Sequence, residues 1–359
     1  MKKKILIIFG TRPEYLKLYN IIKIIRSDKR YNLKVLNTAQ HSDLLFNHIS
    51  MFKTKIDYQN YSKKNVSLAY NSIYISKYIQ SKIEIFQPNL IIYQGDTLSA
   101  FLAAYFANLN SIFSIHIEAG LRTYDNKNPW PEENFRSSIK DFTSYHCTPT
   151  KLSKINLLNE KVPEAKIKIT GNTIVDLLKY SIKKFNILNF KKNLYESPYI
   201  YITIHRRENM GSKLKTFCNL IKKLSKKYKD LNFVIPVHSN PNIFNFIYKY
   251  LSNQKNIKLI KPLNYIENLK HIAQSEFVIS DSGGIQEEVA SLKKFILIYR
   301  DTTERPEILD SYGILTNDKN LLKNFEYIFN LRKTKLHISN PFGDGRASDR
   351  VYKLINNVL

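Results

Sequence analysis

Three carboxylates in the first half of the chain stand where acid–base chemistry could be carried out. Glu118 follows directly on a short apolar run, Asp96 lies three residues after the end of another, and Glu132 lies in the sequence Pro-Trp-Pro-Glu-Glu. The prolines stiffen that loop, and a stiff loop holds an acid in a defined position better than a flexible one. A single acid is more often solvated or paired, for example with Arg136. The shared position at the ends of apolar runs favours a function.

A turn in the second half has the composition of a phosphate site. Ser282, Gly283 and Gly284 follow another apolar run and precede a helical pattern. Glycines let the backbone approach an anion closely, and free N–H groups at a helix start point towards it. Glu288 lies one to two turns into that helix, where a carboxylate could accept from ribose hydroxyls. The plain alternative is an ordinary capped helix start. Arginines that could balance a diphosphate are Arg12, Arg207 and Arg305.

Two histidines allow more than one interpretation. His205 stands at the end of an apolar run beside Arg206, and His238 lies between a valine and a serine. Taken singly, a histidine is more often structural. At a strand end beside cations, however, His205 would be a low-pKa imidazole or a donor to phosphate.

The elements that must position these residues are strands alternating with helices. Short apolar runs predict buried strands at 5–9, 34–37, 90–93, 111–117, 199–204, 233–236, 277–280 and 295–299. Amphipathic patterns between them predict helices, for example at 16–26, 68–86 and 214–227. This alternation is typical of βα units and a parallel sheet. Open sheets of this kind bind ligands at the carboxyl ends of their strands, which is where the polar clusters fall.

The pattern predicts an α/β protein of two doubly wound, Rossmann-like lobes facing a central cleft. A helix at 174–188 and a polar stretch at 189–198 separate two halves that each open with a strand, a polar turn and a helix. We therefore expect an N-terminal lobe at 1–175 and a C-terminal lobe, which carries the candidate phosphate turn, at 176–345. A C-terminal helix at 346–359 could pack back on the N-terminal lobe.

Composition excludes several classes of protein. The two cysteines form no CxxC or metal-ligand spacing, which argues against disulfide or zinc scaffolding. No apolar run approaches a membrane span or a secretory signal, so we expect a cytoplasmic protein. The net charge of +26 is typical of nucleic-acid binders, but the lysines are spread along the chain without a basic tail or known motif. We expect no nucleic-acid partner, and keep such binding as the non-enzyme alternative.

Ordered motifs over essentially the whole chain resemble one family, the non-hydrolysing UDP-N-acetylglucosamine 2-epimerases. The matching segments are GTRPE at 10–14, AQH at 39–41, GDT at 95–97, HIEAGLRT at 116–123, PWPEE at 129–133, GNT at 171–173, TIHRREN at 203–209, PVHSNP at 236–241, SDSGGIQEE at 280–288, RDTTERPE at 300–307 and NPFGDGRAS at 340–348.

The resemblance implies a fold like that of GT-B glycosyltransferases, a homodimer, and no metal or redox cofactor. It implies reversible epimerisation of UDP-N-acetylglucosamine to UDP-N-acetylmannosamine, by elimination of UDP to a 2-acetamidoglucal and re-addition, for surface polysaccharide precursors. Two enzyme alternatives stay open: a C2 epimerase of a modified sugar, such as a UDP-linked 2,3-diacetamido uronic acid, and a GT-B glycosyltransferase.

By motif match, the resemblance also implies roles for residues. The catalytic set is Asp96, Glu118, Glu132 and His205. The substrate- and UDP-binding set is Arg12, Lys17, Arg136, Ser282, Gly283, Gly284, Glu288 and Arg305. A second, allosteric UDP-N-acetylglucosamine site is implied by Gln40, Arg206 and His238.

The chain departs from the family pattern at several positions. Gln94 stands where the family often has His before GDT, and Phe135 replaces a polar Asn. Asp43 and Asn65 stand where the second site would have Gln and Arg. An acid in place of an amide would repel a diphosphate. We therefore expect these changes to affect allosteric activation more than any other property.

Overall fold

The computed structural model covers most of the chain. It describes residues 2–40, 45–61, 67–127, 129–189, 193–204, 209, 211–237, 241–309, 311–333 and 338–359, with the backbone alone at 47, 241 and 242.

The chain divides into two compact units. Unit 1 comprises Met1–Leu177 and Phe342–Leu359, and unit 2 comprises Leu178–Pro341. Each unit is built on a wholly parallel sheet, of seven strands in unit 1 and six in unit 2 within the described residues. The predicted α/β class is confirmed.

The sheet of unit 1 has the strand order β3-β2-β1-β4-β5-β6-β7. Its strands are β1 Lys3–Phe9, β2 Tyr31–Asn37, β3 Tyr58–Gln59, β4 Leu90–Gln94, β5 Phe113–Ile117, β6 Tyr145–Thr148 and β7 Ile167–Ile169. Its helices are α1 Arg12–Ser27, α2 Leu45–Met51, α3 Leu68–Phe86, α4 Leu98–Leu109, α5 Glu132–Phe142, α6 Lys151–Asn159 and α7 Thr173–Lys184, the last of which runs into unit 2.

The sheet of unit 2 repeats this layout in the order β10-β9-β8-β11-β12-β13. Its strands are β8 Tyr199–Thr203, β9 Asn232–Pro236, β10 Ile257–Ile260, β11 Val278–Ser280, β12 Ile296–Tyr299 and β13 Gly313–Thr316. Its helices are α8 Ser212–Lys227, α9 Pro241–Leu251, α10 Tyr265–Gln274, α11 Gly283–Ser291 and α12 Leu321–Leu331.

The strand order reverses once in each sheet. In unit 1 the chain winds outwards from β1 in one direction and from β4 in the other, and β1 and β4 are paired. In unit 2 the paired strands at the reversal are β8 and β11. The turns that follow such a pair diverge to opposite faces and leave a crevice that binds ligands in doubly wound folds. Asp96 and the Ser282 turn both follow strands at a reversal.

The C-terminal helix α13, Ala347–Val358, belongs to unit 1. The Asp176 carboxylate accepts hydrogen bonds from the backbone N–H groups of Ala347, at 3.2 Å, and Ser348, at 2.7 Å. It thus satisfies donors at the helix start, which would otherwise lack partners. The far end of α13 packs on α1, and Tyr31 donates to Asn356 at 2.6 Å.

Each sheet has its own apolar core. In unit 1, side chains of β1 and β4 pack with Ile79 of α3 and Ala103 of α4, all without exposed surface. In unit 2, Phe233 and Phe277 pack with Ile221 of α8 and Phe325 of α12. Across the described part of the chain, no helix is both long enough and apolar enough to span a membrane.

Candidate active site

Glu118 is held by three side-chain donors at the end of β5. The Lys17 ammonium lies 2.5 Å from Oε1 and the Asn172 amide 3.1 Å from the same oxygen. The Gln94 amide donates to Oε2. The Glu118 backbone is left-handed, with φ of 65°, a conformation that costs a non-glycine residue about 1–3 kcal/mol and clusters at functional sites. Burial and these contacts fix the carboxylate at one position.

Asp96 is paired with Arg136 at the end of β4. The Arg136 Nε lies 2.7 Å from Asp96 Oδ2, and its Nη1 lies 2.8 Å from Glu133 Oε2. The turn before Asp96 is held by His116, whose Nε2 is 2.7 Å from the Gly95 carbonyl oxygen and therefore donates to it. Burial lowers the pKa of His116 to about 4, so this histidine is neutral and supports the turn.

Glu132 and Glu133 are neighbours at the start of α5 with different surroundings. Glu132 Oε2 is buried and has no hydrogen-bond partner among the described residues. Glu133 Oε1 accepts from the backbone N–H groups of Thr123 and Tyr124, each at 3.0 Å. Glu133 therefore fastens α5 to the loop after β5, while Glu132 keeps an oxygen available for a ligand.

Arg12 is the first residue of α1, in the turn after β1. The turn is tight because a Cβ at Gly10 would lie 2.2 Å from both Thr38 Oγ1 and Ser99 Oγ. Gln40 lies in the adjoining loop, and its side-chain oxygen accepts from the Ser99 hydroxyl at 2.8 Å and the Ser99 N–H at 3.0 Å. Arg12 and Gln40 thus lie in neighbouring loops of unit 1.

The Ser282 turn of unit 2 opens α11. Ser282 is the residue before the helix, and its side chain makes no hydrogen bond that caps the helix. Gly284 is exposed, and among the described residues the nearest atom to the place a Cβ would take is Ser282 Oγ, at 3.9 Å. At Gly283 a Cβ would lie 2.6 Å from Arg305 Nη1. The start of α11 is therefore an open end of backbone N–H groups of the kind that binds phosphate.

Arg305 lies beneath this turn in a buried ion network. Its Nε is 2.6 Å from Glu287 Oε1 and its Nη1 is 2.5 Å from Glu304 Oε1. Arg300 Nη1 in turn lies 2.6 Å from Glu304 Oε2. In this structure the Arg305 guanidinium is paired with carboxylates of the protein. Arg305 therefore supports the α11 turn by packing against Gly283.

Glu288 points to α10 rather than into this network. Its Oε2 accepts from the Asn268 amide at 3.1 Å, and Asn268 in turn accepts from the Tyr201 hydroxyl at 2.7 Å. The carboxylate is mostly buried.

The structure brings the predicted residues of each unit together in part. Asp96 and Glu118, in the turns after the paired strands β4 and β5, form ion pairs with Arg136 and Lys17 respectively, and the Ser282 turn adjoins Arg305. The predicted residues that lie outside the described part are His205, Arg206, Arg207, His238, Asp43 and Asn65. Among the described residues, no three His, Cys, Asp or Glu side chains cluster as metal ligands would.

Sequence reasoning gave no role to Asn172, Glu133 or Glu287. Asn172 and Glu287 belong to the GNT and SDSGGIQEE motifs, and Glu133 belongs to PWPEE, but the motif match assigns none of them a function. Each acts through a contact with a residue distant in sequence or across a turn, which no local pattern reveals.

The family model for UDP-N-acetylglucosamine 2-epimerases matches residues 23–356 of this chain. The chain belongs to that family. The predicted resemblance is thereby confirmed, and the chain is an enzyme of the isomerase class.

Individual relatives agree over the full length. The chain is 38% identical to the UDP-N-acetylglucosamine 2-epimerase of Neisseria meningitidis serogroup A, over 96% of this chain and 97% of that protein. A crystal structure of the Neisseria meningitidis enzyme bound to UDP-GlcNAc superposes with a TM-score of 0.93 at 38% identity and covers 99% of this chain and 100% of its own. The Methanocaldococcus jannaschii enzyme in complex with UDP-GlcNAc and UDP has a TM-score of 0.87 at 30% identity, with 99% of each chain covered.

A more distant likeness bears on the fold alone. A lipopolysaccharide outer core galactosyltransferase has a TM-score of 0.58 at 11% identity. Together with the epimerase structures, it confirms the predicted GT-B-like fold.

Proposed function

We propose that this chain catalyses the reversible C2 epimerisation of UDP-N-acetylglucosamine to UDP-N-acetylmannosamine without hydrolysis of the sugar nucleotide. Membership of the family and full-length similarity to an enzyme crystallised with UDP-GlcNAc support this substrate. The single structural observation that carries the proposal is the Glu118 carboxylate, fixed by three donors beside the Asp96–Arg136 pair.

The chemistry explains why several carboxylates are needed. The C2 proton is not adjacent to a carbonyl, so direct deprotonation would be too slow. Cleavage of the C1–O bond to UDP builds positive charge at C1 and acidifies C2–H, so a carboxylate becomes an adequate base. The C2 proton goes to the base, the UDP oxygen takes the bonding pair, and a C1–C2 double bond forms. In the second step UDP adds back at C1, and C2 takes up a proton on the face opposite to the one that lost it. The product is the C2 epimer.

Residues of unit 1 supply the acid–base groups in this scheme. We assign proton transfer at the two faces of C2 to Asp96, Glu118 and Glu132. Lys17 and Arg136 keep Glu118 and Asp96 in position through their ion pairs. His205, outside the described residues, is assigned to the leaving diphosphate.

UDP is assigned to the start of α11 in unit 2. The Ser282 hydroxyl and the N–H groups of Gly283 and Gly284 would receive the diphosphate, and Glu288 the ribose hydroxyls. Arg305 supports that turn. By motif match, Arg12 of the GTRPE segment is a further UDP-binding residue. No metal or redox cofactor enters the scheme.

We further propose three properties that the resemblance implies. The chain forms a homodimer, acts in the cytoplasm on surface polysaccharide precursors, and contains Gln40 in a second site for UDP-N-acetylglucosamine. The orientation of Gln40 by Ser99 supports the last of these, since it gives the amide a defined direction.

Incubation with UDP-N-acetylglucosamine in deuterated water, followed by NMR, tests the reaction. We expect the manno epimer to appear with deuterium at C2, and no free N-acetylhexosamine. An unchanged C2 signal would contradict the substrate assignment, and free N-acetylmannosamine would contradict the non-hydrolysing reaction. A competing UDP-linked diacetamido uronic acid, if turned over faster, would point to the modified-sugar alternative.

A further inference from the structure

Glu14 of α1 makes contacts that exceed those of a helix cap. Its Oε2 accepts from the backbone N–H groups of Gly10, at 2.9 Å, and Thr11, at 2.7 Å. Its Oε1 accepts from the Thr97 hydroxyl at 2.6 Å. The first contacts lie within the turn after β1, whereas Thr97 lies in the turn after β4. A single side chain, 1% exposed, therefore ties two turns together.

These two turns flank the point where the strand order of unit 1 reverses. The first turn carries Arg12 and the second carries Asp96. Because β1 and β4 are paired, the turns leave the sheet side by side, but their helices pack on opposite faces. The strand pairing ends where the strands end, so the spacing of the turns beyond it depends on contacts of the turns themselves, such as the close packing of Gly10 against Ser99 of α4. Glu14 supplies a direct link across this point.

The link uses a buried carboxylate, which is costly. Burial raises the pKa of Glu14 to about 7, and the groups that oppose the rise are the Gly10 N–H, the N–H and hydroxyl of Thr11, and the Thr97 hydroxyl. None of these titrates near neutral pH. A glutamate at the same helix position can cap without burial: Glu267 of α10 accepts from the Asn264 N–H at 2.9 Å and lies on the surface.

We propose that Glu14 is a positioning residue for the epimerisation, holding the Arg12 turn and the Asp96 turn at a fixed spacing. The inference rests on the proposed function. In this role the carboxylate contacts neither the sugar nor UDP. It acts through the two turns, so its loss displaces Arg12 from Asp96 and lowers kcat.

Steady-state kinetics of four chains test the proposal: wild type, Glu14→Ala, Glu14→Gln and Glu267→Ala. Glu267→Ala is the matched control because it removes the same half of a capping box from a helix of unit 2. We expect its kcat to stay within about twofold of wild type. We expect Glu14→Ala to lower kcat by about 100-fold, the loss typical of a misplacement near 1 Å.

Glu14→Gln separates positioning from stability. Its amide oxygen can still accept from the two N–H groups, but its amide nitrogen is a donor. The Thr97 hydroxyl, which donates to Glu14 and accepts from the Ala100 N–H, would have to accept a second hydrogen bond instead, so we expect a weaker link and a fall in kcat of about tenfold. Between pH 4.5 and about 7 the folded wild type binds more protons than the unfolded chain, because its Glu14 pKa is raised. As the pH rises through this window, the free energy of unfolding of wild type therefore falls relative to that of the glutamine variant. At pH 8 the variant should melt no lower than wild type while being less active.

The outcomes are distinct. A folded Glu14→Gln or Glu14→Ala with the kcat of Glu267→Ala would overturn the inference and leave the proposed function intact. If Glu14→Ala does not fold, the glutamine variant decides alone. A wild-type chain that does not turn over UDP-N-acetylglucosamine would refute the proposed function, and this inference with it.

Discussion

Glu118 has two features that each cost folding free energy, a left-handed backbone and a buried carboxylate, and a purely structural residue needs neither. Its backbone is left-handed, and its charge is buried among Lys17, Gln94 and Asn172. A buried ion pair contributes little to stability once its desolvation is counted. Strain and buried charge at one position are instead typical of groups held ready for chemistry.

Glu118→Gln should keep this geometry and remove the chemistry. The amide oxygen can face Lys17 and Asn172, and the amide nitrogen can face Gln94 after that side chain rotates by half a turn. We expect kcat to fall by about 10²–10⁴-fold, the range for loss of a general acid or base, with little change in KM. Circular dichroism would check the fold. A kcat within threefold of wild type would remove Glu118 from the acid–base set.

At this scale the sequence indicates candidate acid–base groups but not the side chains that pair with them. Asp96 and Glu118 are candidates because each lies in a turn after an apolar run, and the structure places a buried strand at each of these runs. The contacts of Asn172 with Glu118 and of Arg305 with Glu287 join residues 54 and 18 positions apart. They depend on how strands align in the sheet, which no residue pattern specifies.

Among the elements, α11 offers the sharpest comparison because it opens with two glycines in different surroundings. A Cβ at Gly283 would lie 2.6 Å from Arg305 and 2.8 Å from Glu304, both in the buried ion network. A Cβ at Gly284 would have Ser282 Oγ, at 3.9 Å, as its one neighbour within the described part of the chain. Neither glycine has the positive φ that would bar alanine.

The two alanine variants should therefore move stability in opposite directions. Gly283→Ala must displace Arg305 or the helix start, a strain of about 1–3 kcal/mol. Gly284→Ala should be neutral or stabilise by up to about 1 kcal/mol, the helix propensity difference. Melting temperatures of the two variants beside wild type give the measurement. Equal melting temperatures would show that the turn relaxes around Gly283 without loss.

The elements that the sequence missed share a physical feature. All eight predicted strands are present, with ends shifted by a few residues. Five further strands were not predicted, β3, β6, β7, β10 and β13, and each has only two to four residues. Such strands contain too few apolar side chains to show a periodicity. Their position is given by pairing with a neighbouring strand, which the residue pattern does not show.

Over the whole molecule, alternation of strands and helices was enough to predict an α/β fold with parallel sheets. The strand order within each sheet was not predicted, although it decides which turns meet. The net charge of +26 accords with an enzyme for a dianionic sugar nucleotide, since a positive field raises the rate of encounter with anions. A high net charge favours solubility and attracts anionic ligands. It does not determine the fold.

The proposed homodimer can be tested on the outer surface of unit 1. The adjoining helices α3 and α4 expose apolar side chains, of which Ile73 and Leu109 are each 59% exposed and Tyr70 is 44% exposed. Burial of such side chains against a second copy would stabilise a dimer, at about 25 cal/mol for each Å² of apolar surface.

Analytical ultracentrifugation tests this interface, and wild type should sediment with twice the mass of one chain. We expect the double variant Tyr70→Lys, Ile73→Lys to sediment as a monomer. The matched control, Phe244→Lys on the exposed side of α9 in unit 2, should remain dimeric. A monomeric wild type would contradict the dimer, and a dimeric double variant would move the interface to another surface.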